Sequence, residues 1–459
     1  MAFLSSLFYF IIVIGILVFI HEFGHFIAAR ICKMRVDIFS LGMGSRLFGW
    51  NKKTKFTWGK LPEDFDGEGN CDYRVCLLPI GGYVKINGMI DESMDSSFIQ
   101  NEPKPYEFRS KNAFQKAFTI SAGVIMNVIL ALVVFTLYAY LQGSYHNPTT
   151  TIGSVKQNSL ASKIGFLEND KILKINDNNV YTWQETIENL AIKDFGKSRN
   201  IQINRNGQIL NLQADGDAIV KSISSPEGLG FSPNNAFVII TAVETLKPAG
   251  KAGIKEGDTV LQINSAVMNG VSKFQQIIKA NKSQQLQLTL KRKADTLKYD
   301  IIPDANGMIG VGIAEGYYGN LVHKTYTLGE SIVIGYDECV NSVKMFFNTF
   351  GQIFKGNISM KQSLGGPIMI AQFASQQANM GLLNFLHFLG LLSISLAIIN
   401  ILPIPALDGG HLLFIIIEAI IRREVPIKVK IIFQQFGLWL IILLTIFVFY
   451  NDIARLFGF

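Results

Sequence analysis

Four long stretches of apolar residues divide this chain, and segments richer in polar and charged residues separate them. The stretches cover residues 1–30, 113–141, 380–422 and 427–452. Each is long enough to cross the hydrocarbon core of a bilayer as a helix, which takes about 20 residues. The pattern therefore predicts a polytopic α-helical membrane protein with four transmembrane helices.

The third stretch is too long for one unbroken span, because a helix of that length would extend over about 60 Å. Pro403 and Pro405 lie in its middle, and two glycines directly precede His411. Proline removes a backbone donor and clashes with the preceding turn. We expect a helix to about Asn400, a broken segment, and a second helix from about His411. Broken backbone at membrane depth needs protein or a polar cavity around it, so this segment is a candidate site.

The loops predict the orientation of the chain. Basic residues are frequent in the segment 31–112 and in the short loop after the third stretch, which carries Arg422 and Arg423. By the positive-inside rule both loops are cytoplasmic, and residues 142–381 lie on the opposite side. The same loops explain the net charge of +7 in a chain that is 49% hydrophobic. We therefore expect a lipid bilayer as partner, and no nucleic acid.

The region between the second and third stretches contains an internal repeat. Ser159–Asn176 reads SLASKIGFLENDKILKIN, and Lys247–Asn264 reads KPAGKAGIKEGDTVLQIN. Each copy predicts a short helix, a glycine turn and a strand, with a further helix and strands behind it. The pattern resembles tandem PDZ domains and predicts two inserted PDZ-like α+β domains over 147–225 and 226–312. The alternative is a duplicated α+β module without a binding role.

Two further segments have distinct patterns. Residues 325–357 are amphipathic, with phenylalanines at helical spacing, and predict a helix that lies on the membrane surface. In the cytoplasmic loop 31–112, the glycine-rich segments Asp37–Gly49 and Leu77–Met89 alternate in polarity and predict membrane-associated β-hairpins. An edge strand there could pair with an extended peptide, or the hairpins could form a capping sheet without substrate contact.

The first stretch carries the clearest chemical signal. His21, Glu22 and His25 form the pattern HExxH. On a helix, residues four positions apart share a face, so both imidazoles can reach one metal ion. Glu22 can then take a proton from an activated water molecule. Ionisable residues inside a membrane span are costly and usually functional.

A catalytic zinc site needs a third protein ligand. Asp408, in the broken third stretch, is the candidate, because a carboxylate there would be costly unless it were paired or ligating. His411 is an alternative ligand, although glycines interrupt that turn. His387 stands alone in an apolar stretch and is interpreted as a core or substrate-lining residue.

The four cysteines do not match a zinc-ribbon spacing. Cys71 and Cys76 are close enough in sequence to suggest a disulfide or a metal site. We expect free thiols in a reducing compartment instead.

These motifs together resemble the site-2 protease family of intramembrane zinc metalloproteases, and most closely its RseP-type bacterial members. The resemblance covers essentially the whole chain. It depends on HEFGH in the first span, NILPIPALDG in the third, the PDZ-like pair between the second and third, and FSLGMG and PIGGYVK in the cytoplasmic loop.

The resemblance implies zinc bound by His21, His25 and Asp408, with Glu22 as general base. It also implies a set of residues that position an unwound substrate helix: Asn400, Pro403, Pro405, Gly42, Gly44, Gly81, Gly82 and Tyr83. The implied substrates are single-span membrane proteins such as anti-sigma factors, or signal-peptide remnants, after a prior cut of the ectodomain. The implied location is the bacterial inner membrane, with periplasmic PDZ-like domains and an active site near the cytoplasmic side.

The chain departs from the family pattern at two places. Relatives often have AGPxxN in the second span, whereas here Val124 stands in place of the proline before Asn127. Some relatives have a further asparagine where this chain has Ser395. Two other classes of protein stay open: a PDZ scaffold with structural or no zinc, and a transporter that uses the broken third stretch.

Overall fold

The computed structural model describes residues 2–62, 67–89, 102–225, 228–244, 247–358 and 365–456. Residues 90–101 of the predicted cytoplasmic loop and residues 226–227 at the predicted start of the second PDZ-like domain lie outside the described part. The chain divides into two compact units. One contains Met1–Gly143, Thr325–Phe346 and Met360–Phe459, and the other contains Ser144–Lys324 and Phe347–Ser359.

The helices account for all four apolar stretches. In chain order they are α1 (Ala2–Ile31), α2 (Ala113–Gln142), α3 (Leu160–Ile164), α4 (Trp183–Ile187), α5 (Gly216–Ile223), α6 (Pro248–Ala252), α7 (Val271–Ala280), α8 (Leu328–Phe354), α9 (Pro367–Asn379), α10 (Leu382–Ile401), α11 (Asp408–Ile421) and α12 (Ile427–Leu456). A π-helical turn, Glu188–Ile192, continues α4, and a 3-10 turn, Phe108–Ser110, precedes α2.

The strands lie between α1 and α2 and between α2 and α8. They are β1 (Val36–Asn51), β2 (Lys55–Trp58), β3 (Asp72–Ile86), β4 (Ser144–His146), β5 (Ile152–Val155), β6 (Lys171–Ile175), β7 (Asn178–Asn179), β8 (Arg199–Arg205), β9 (Gln208–Ala214), β10 (Phe231–Pro233), β11 (Ala236–Val243), β12 (Thr259–Ile263), β13 (Ala266–Val267), β14 (Leu286–Arg292), β15 (Asp295–Ile301), β16 (Val311–Tyr317) and β17 (Val322–Lys324).

Among the described residues, four helices are long and apolar enough to cross a membrane: α1, α2, α10 and α12. The ends of α2 follow local rules. Asn112 and Gln115 form a reciprocal capping box at its start, where the Gln115 N–H donates to Asn112 Oδ1 at 2.8 Å. Gly143 ends it with φ of +62°, a conformation that glycine adopts readily. The chain therefore has four apolar helices that could span a membrane, together with several β-sheets.

Small residues bring α1 and α2 together. A Cβ atom added to Gly24 on α1 would lie 2.3 Å from the carbonyl oxygen of Ala122 on α2. Ala28 and Ala29, one turn further along α1, are buried. Small side chains let membrane helices approach closely, and here the approach places the face of α1 that carries the histidines directly against α2.

The third stretch is broken, as predicted, but its second helix begins at Asp408, not at His411. Helix α10 ends at Ile401, and the connecting backbone bonds to itself: the Leu407 N–H donates to the carbonyl oxygen of Ile404 at 3.2 Å. The early start is possible because residue 409 is glycine. A Cβ there would lie 2.0 Å from the carbonyl oxygen of Leu402.

Helix α9 is an element that the sequence pattern did not predict. Its first backbone N–H groups have no partner within the helix. The carboxylate of Asp452, near the end of α12, accepts from the N–H of Gly366 at 3.0 Å and from that of Ile368 at 2.9 Å. A residue 84 positions away in sequence therefore caps this helix.

The segment between α1 and α2 forms an antiparallel sheet with the strand order β2-β1-β3. Ser40 on β1 is in register with both Arg74 and Tyr83, so the first half of β1 lies between the two halves of β3. The second half of β3, residues 82–86, pairs with β1 on one side and forms an edge of the sheet. Buried residues of both strands pack on the end of α1.

The cysteines are buried free thiols, as expected. Cys71 lies in the core between α1 and this sheet, and burial raises the pKa of its thiol to about 12. At neutral pH it is therefore a protonated and unreactive side chain.

The second unit carries the two repeats, each around its own hydrophobic core. Equivalent contacts recur in the two copies. Fully buried Asp170 accepts from Arg205 Nη2 at 2.7 Å, and fully buried Asp258 accepts from Arg292 Nη2 at 2.7 Å. Burial raises the pKa of Asp258, but the hydrogen bonds from Arg292 and from the Lys255 N–H outweigh it and hold that pKa below its usual value. That the repeats are PDZ-like stays a prediction.

The two ends of the inserted region meet. Strand β4 pairs with β17, with Tyr145 opposite His323. Ser232 lies on β10, which pairs with β5 of the first repeat although the predicted boundary at 226 assigns it to the second. Its hydroxyl donates to Glu315 on β16, which pairs with β11 of the second repeat, at 2.5 Å, so the repeats contact each other. The two ends of residues 144–324 are thus joined in a two-stranded ribbon.

Candidate metal centre and active site

Three buried or half-buried side chains converge where α1 faces the start of α11. His21 and His25 lie one turn apart on α1, with their Nε2 atoms 3.2 Å apart. Asp408 Oδ2 lies 3.1 Å from His21 Nε2 and 3.4 Å from His25 Nε2. Within the described ranges, these are the residues whose arrangement could hold a metal ion. The structure therefore brings together the three ligands that the sequence predicts.

The donor set fits a zinc ion. Ligands of tetrahedral zinc at about 2.0–2.1 Å lie about 3.3–3.4 Å apart, close to the three separations here. His25 Nδ1 lies 2.9 Å from the carbonyl oxygen of Thr119 and donates to it, which leaves a lone pair on Nε2. Asp408 Oδ2 has no hydrogen-bond partner, although it is buried. A cation would satisfy these converging lone pairs.

The other histidine is also oriented from α2. His21 Nδ1 lies 3.2 Å from the side-chain amide of fully buried Asn127, whose Oδ1 has no partner. An amide has nearly the same shape after a 180° rotation. With Oδ1 turned toward the ring, it accepts the Nδ1 proton and leaves Nε2 free for a metal. Asn127 thus fits the role of an orienting partner of His21.

Gly123 on α2 gives the two imidazoles their space. A Cβ at this position would lie 2.5 Å from His25 Nε2 and 2.7 Å from His21 Cε1. The sequence interpretation did not assign Thr119, Gly123 or Asn127 to the site. The signal available was the segment from Ala122 to Asn127, which resembles the AGPxxN pattern of relatives except at Val124.

A cavity of about 570 Å³ opens beside the three ligands. Glu22 faces it from α1, and residues 82–86 at the edge of the β2-β1-β3 sheet form part of its wall. A Cβ on Gly82 would lie 3.2 Å from Glu22 Cγ and 2.8 Å from Val18 Cγ1, so only glycine lets the strand lie this close. The lining residues that the argument uses are Glu22, Gly81, Gly82, Tyr83, Asn400 and Asp408.

The residues predicted to position substrate fall into two groups. Asn400, Gly81, Gly82 and Tyr83 line the cavity, and Asn400 Nδ2 lies 3.5 Å from His21 Nε2. The other four predicted residues do not line it; they are Gly42, Gly44, Pro403 and Pro405.

Three of those four residues, Gly42, Gly44 and Pro405, are sequence neighbours of the lining residues Met43 and Ala406. Gly42 and Gly44 have φ of +84° and +85°, which glycine permits, and they turn the middle of β1. Pro405 packs against α12, where a Cβ on Gly437 would lie 2.3 Å from it. That these four residues position a substrate stays a prediction.

The remaining histidines near the site have other partners. His411 lines the cavity, but its Nε2 lies 3.1 Å from the side-chain amide of Gln434, outside the cluster of three ligands. His387 lies 2.7 Å from Glu338 Oε1 and packs on Tyr138, so it is a partnered residue of the helix interface.

Comparison with known proteins agrees with this geometry. The profile described as peptidase family M50 matches residues 9–444. The chain is 32% identical to the Regulator of sigma E protease of Haemophilus influenzae, over 99% of this chain and 100% of that protein. It is 29% identical to a protein named as a zinc metalloprotease from Neisseria meningitidis, over 99% and 100% of the two chains. It is 27% identical to RseP of Escherichia coli over 99% and 100%.

The contact at Gly123 gives a test of the centre. We expect Gly123→Ala to displace both imidazoles and to lower the metal content of the purified protein at least about tenfold, because ligands must be held within a few tenths of an ångström. Metal analysis by mass spectrometry measures this. Gly15→Ala, where a Cβ meets no atom within 4 Å, is the matched control and keeps the metal. Equal metal in both variants would contradict the described packing.

Proposed function

We propose that this chain, which belongs to peptidase family M50 and is a zinc metalloprotease, hydrolyses a peptide bond in the transmembrane segment of its substrate. The observation that carries this proposal is the convergence of His21, His25 and Asp408 beside a cavity that Glu22 faces. Two histidines and one carboxylate are a common donor set of catalytic zinc sites. A structural zinc site would have four protein ligands, so this arrangement favours an enzyme over a scaffold.

The roles of the side chains follow from their positions. His21, His25 and Asp408 hold the zinc ion, and Thr119 and Asn127 orient the two imidazoles. The bound zinc ion supplies Lewis-acid activation of a water molecule and of the scissile carbonyl. Glu22 accepts a proton from that water and delivers it to the leaving nitrogen. Asn400, beside His21, contacts the substrate backbone near the scissile bond.

The edge of β3 receives the substrate as an added strand. A helical substrate hides its carbonyl groups in its own hydrogen bonds and must unwind before attack. Residues 82–86 of β3 form the edge of the sheet and line the cavity. Pairing with this edge would hold the unwound segment and satisfy its backbone groups. Gly82 lets the paired substrate lie next to Glu22.

The substrate class and location rest on the loops and on the names of the relatives. Arg30, Lys33 and Arg35 follow the metal-binding turns of α1, which favours a site near the cytoplasmic face of a bacterial inner membrane. The relatives' names refer to regulation of sigma E. We infer single-span substrates such as anti-sigma factors, or signal-peptide remnants, after a prior ectodomain cut.

The repeats are proposed to be periplasmic PDZ-like domains that select trimmed substrates. They lie in one insertion whose ends pair through β4 and β17. The contact between Ser232 and Glu315 joins the two copies. As a joined pair they would exclude a bulky ectodomain, or bind a carboxyl terminus that an earlier cut exposes.

Replacement of the acid/base residue separates chemistry from metal binding. We expect Glu22→Gln to lower the cleavage rate of a single-span substrate in liposomes by about 10²- to 10⁴-fold while zinc stays bound, since the amide cannot take a proton. Asp408→Ala should lose both zinc and cleavage. Zinc analysis of each variant accompanies the assay. Normal cleavage by Glu22→Gln would refute the mechanism.

Strand addition predicts a period of two in substrate contacts. Single cysteines along a substrate's unwound segment should cross-link to Tyr83→Cys at alternate positions, with Glu22→Gln present to prevent turnover. A cysteine at Lys55, on the strand at the opposite end of the sheet order, is the control and should not cross-link. Uniform cross-linking at successive substrate positions would contradict strand pairing.

The repeats, which form the proposed size filter, can be deleted without disrupting the pairing of β4 and β17. His146 on β4 is in register with Val322 on β17, so residues 147–321 can be replaced by a two-residue Asn-Gly turn. We expect the shortened protein to cleave full-length substrate that the intact protein rejects. It should cleave trimmed substrate at a rate similar to that of the intact protein. Substrates of both lengths are compared in liposomes. If full-length substrate is still rejected while trimmed substrate is cleaved, the filter proposal is wrong.

A further inference from the structure

A second pocket lies outside the active site, between the start of α2 and the end of α11. Its volume is about 200 Å³. The residues around it combine three cations, two carboxylates and three apolar side chains; they are Ala113, Lys116, Ile415, Glu418, Ala419, Arg422, Arg423 and Glu424. Nothing in the proposed hydrolysis uses this pocket.

The charge of the pocket is positive once internal pairs are counted. Glu418 accepts from Lys430 Nζ at 2.6 Å and from the Val425 N–H at 2.9 Å, so its charge is compensated. Within the part of the chain that the structure describes, no ion pair or hydrogen bond engages the side chains of Arg422 and Arg423. Lys116, Arg422 and Arg423 thus face a single remaining carboxylate, that of Glu424, and the pocket suits an anion.

Both arginines lie at the C-terminal end of α11. Arg422 ends α11 in a left-handed conformation with φ of +52°, which non-glycine residues adopt rarely. Arg423 follows directly, so both residues lie just beyond the last turn of α11. Guanidinium groups bind phosphate oxygens in a paired, fork-like geometry that a lysine does not reproduce.

Large apolar residues lie next to the pocket residues along α11 and α2. Buried Ile415 forms part of its wall. Ile416 and Ile420, one turn apart on α11, are 48% and 74% exposed, and Phe114 at the start of α2 is 79% exposed. A free phosphate ion would use only the charges. A ligand that joins an anionic group to hydrocarbon would use the charges and the exposed apolar residues together.

We propose that this pocket binds the phosphate of an anionic phospholipid, with an acyl chain against Ile416 and Ile420. Basic pockets at the cytoplasmic ends of membrane helices suit such headgroups. Helix α11 carries Asp408 at its first position and ends before Arg422, about 21 Å away along the axis. A bound lipid therefore fixes the far end of the helix that supplies the third zinc ligand.

The test uses the purified full-length, zinc-loaded protein and short-chain phosphatidylglycerol, with binding measured by native mass spectrometry. We expect Arg422→Gln/Arg423→Gln to weaken binding at least about tenfold. Arg423→Gln alone should weaken it measurably, whereas Lys428→Gln, which removes the same charge from the first turn of α12 outside the pocket, should not. Arg422→Lys/Arg423→Lys keeps the charge, and should bind more weakly than the unaltered protein and more tightly than the glutamine pair.

Two further arms distinguish the source of the phosphate. Phosphatidylcholine with the same acyl chains should bind more weakly than phosphatidylglycerol, and inorganic phosphate in large excess should not displace the lipid. Zinc content of each variant shows that its fold is intact. Equal lipid binding by the glutamine pair and the unaltered protein would overturn the proposal, as would displacement by inorganic phosphate or an equal loss in Lys428→Gln.

Discussion

The close approach of α1 and α2 is the constraint on which the rest of the structure depends. Gly24 lies against the backbone of Ala122, and Gly123 leaves just enough space for the imidazoles of His21 and His25. Because the helices touch at their backbones, α2 can also supply the partners that orient both rings. Two polar rings buried between apolar helices would be costly without such partners and without a cation between their free nitrogens.

The broken third stretch brings the carboxylate of Asp408 to the Nε2 atoms of His21 and His25 from a distant part of the chain. The prolines end α10, the connecting backbone bonds to itself, and glycine at 409 lets α11 begin at Asp408. The pocket at the other end of α11 adds a further point of attachment, through Arg422 and Arg423. One short helix thus links the proposed metal site to the proposed lipid site.

The β2-β1-β3 sheet and the inserted repeats contribute in different ways. The sheet packs on α1, and its edge strand reaches Glu22 through Gly82, so it belongs to the cavity itself. The repeats form their own cores and close on a single ribbon of β4 and β17. The proposed selection of substrates by the repeats would therefore leave the arrangement of the catalytic side chains unchanged.

The sequence by itself determined the features that depend on short-range pattern: the four apolar stretches, the shared face of His21 and His25, the break around Pro403, and the repeated α+β segment. It also singled out Asp408, because an isolated carboxylate in an apolar stretch is costly. Only the tertiary structure decided that Thr119, Gly123 and Asn127 surround the histidines, that Asp452 caps α9, and that Gly42 and Pro405 do not themselves line the cavity. These roles depend on which helix faces join, and an apolar helix with no polar face gives no periodic signal of the side it presents to a neighbour.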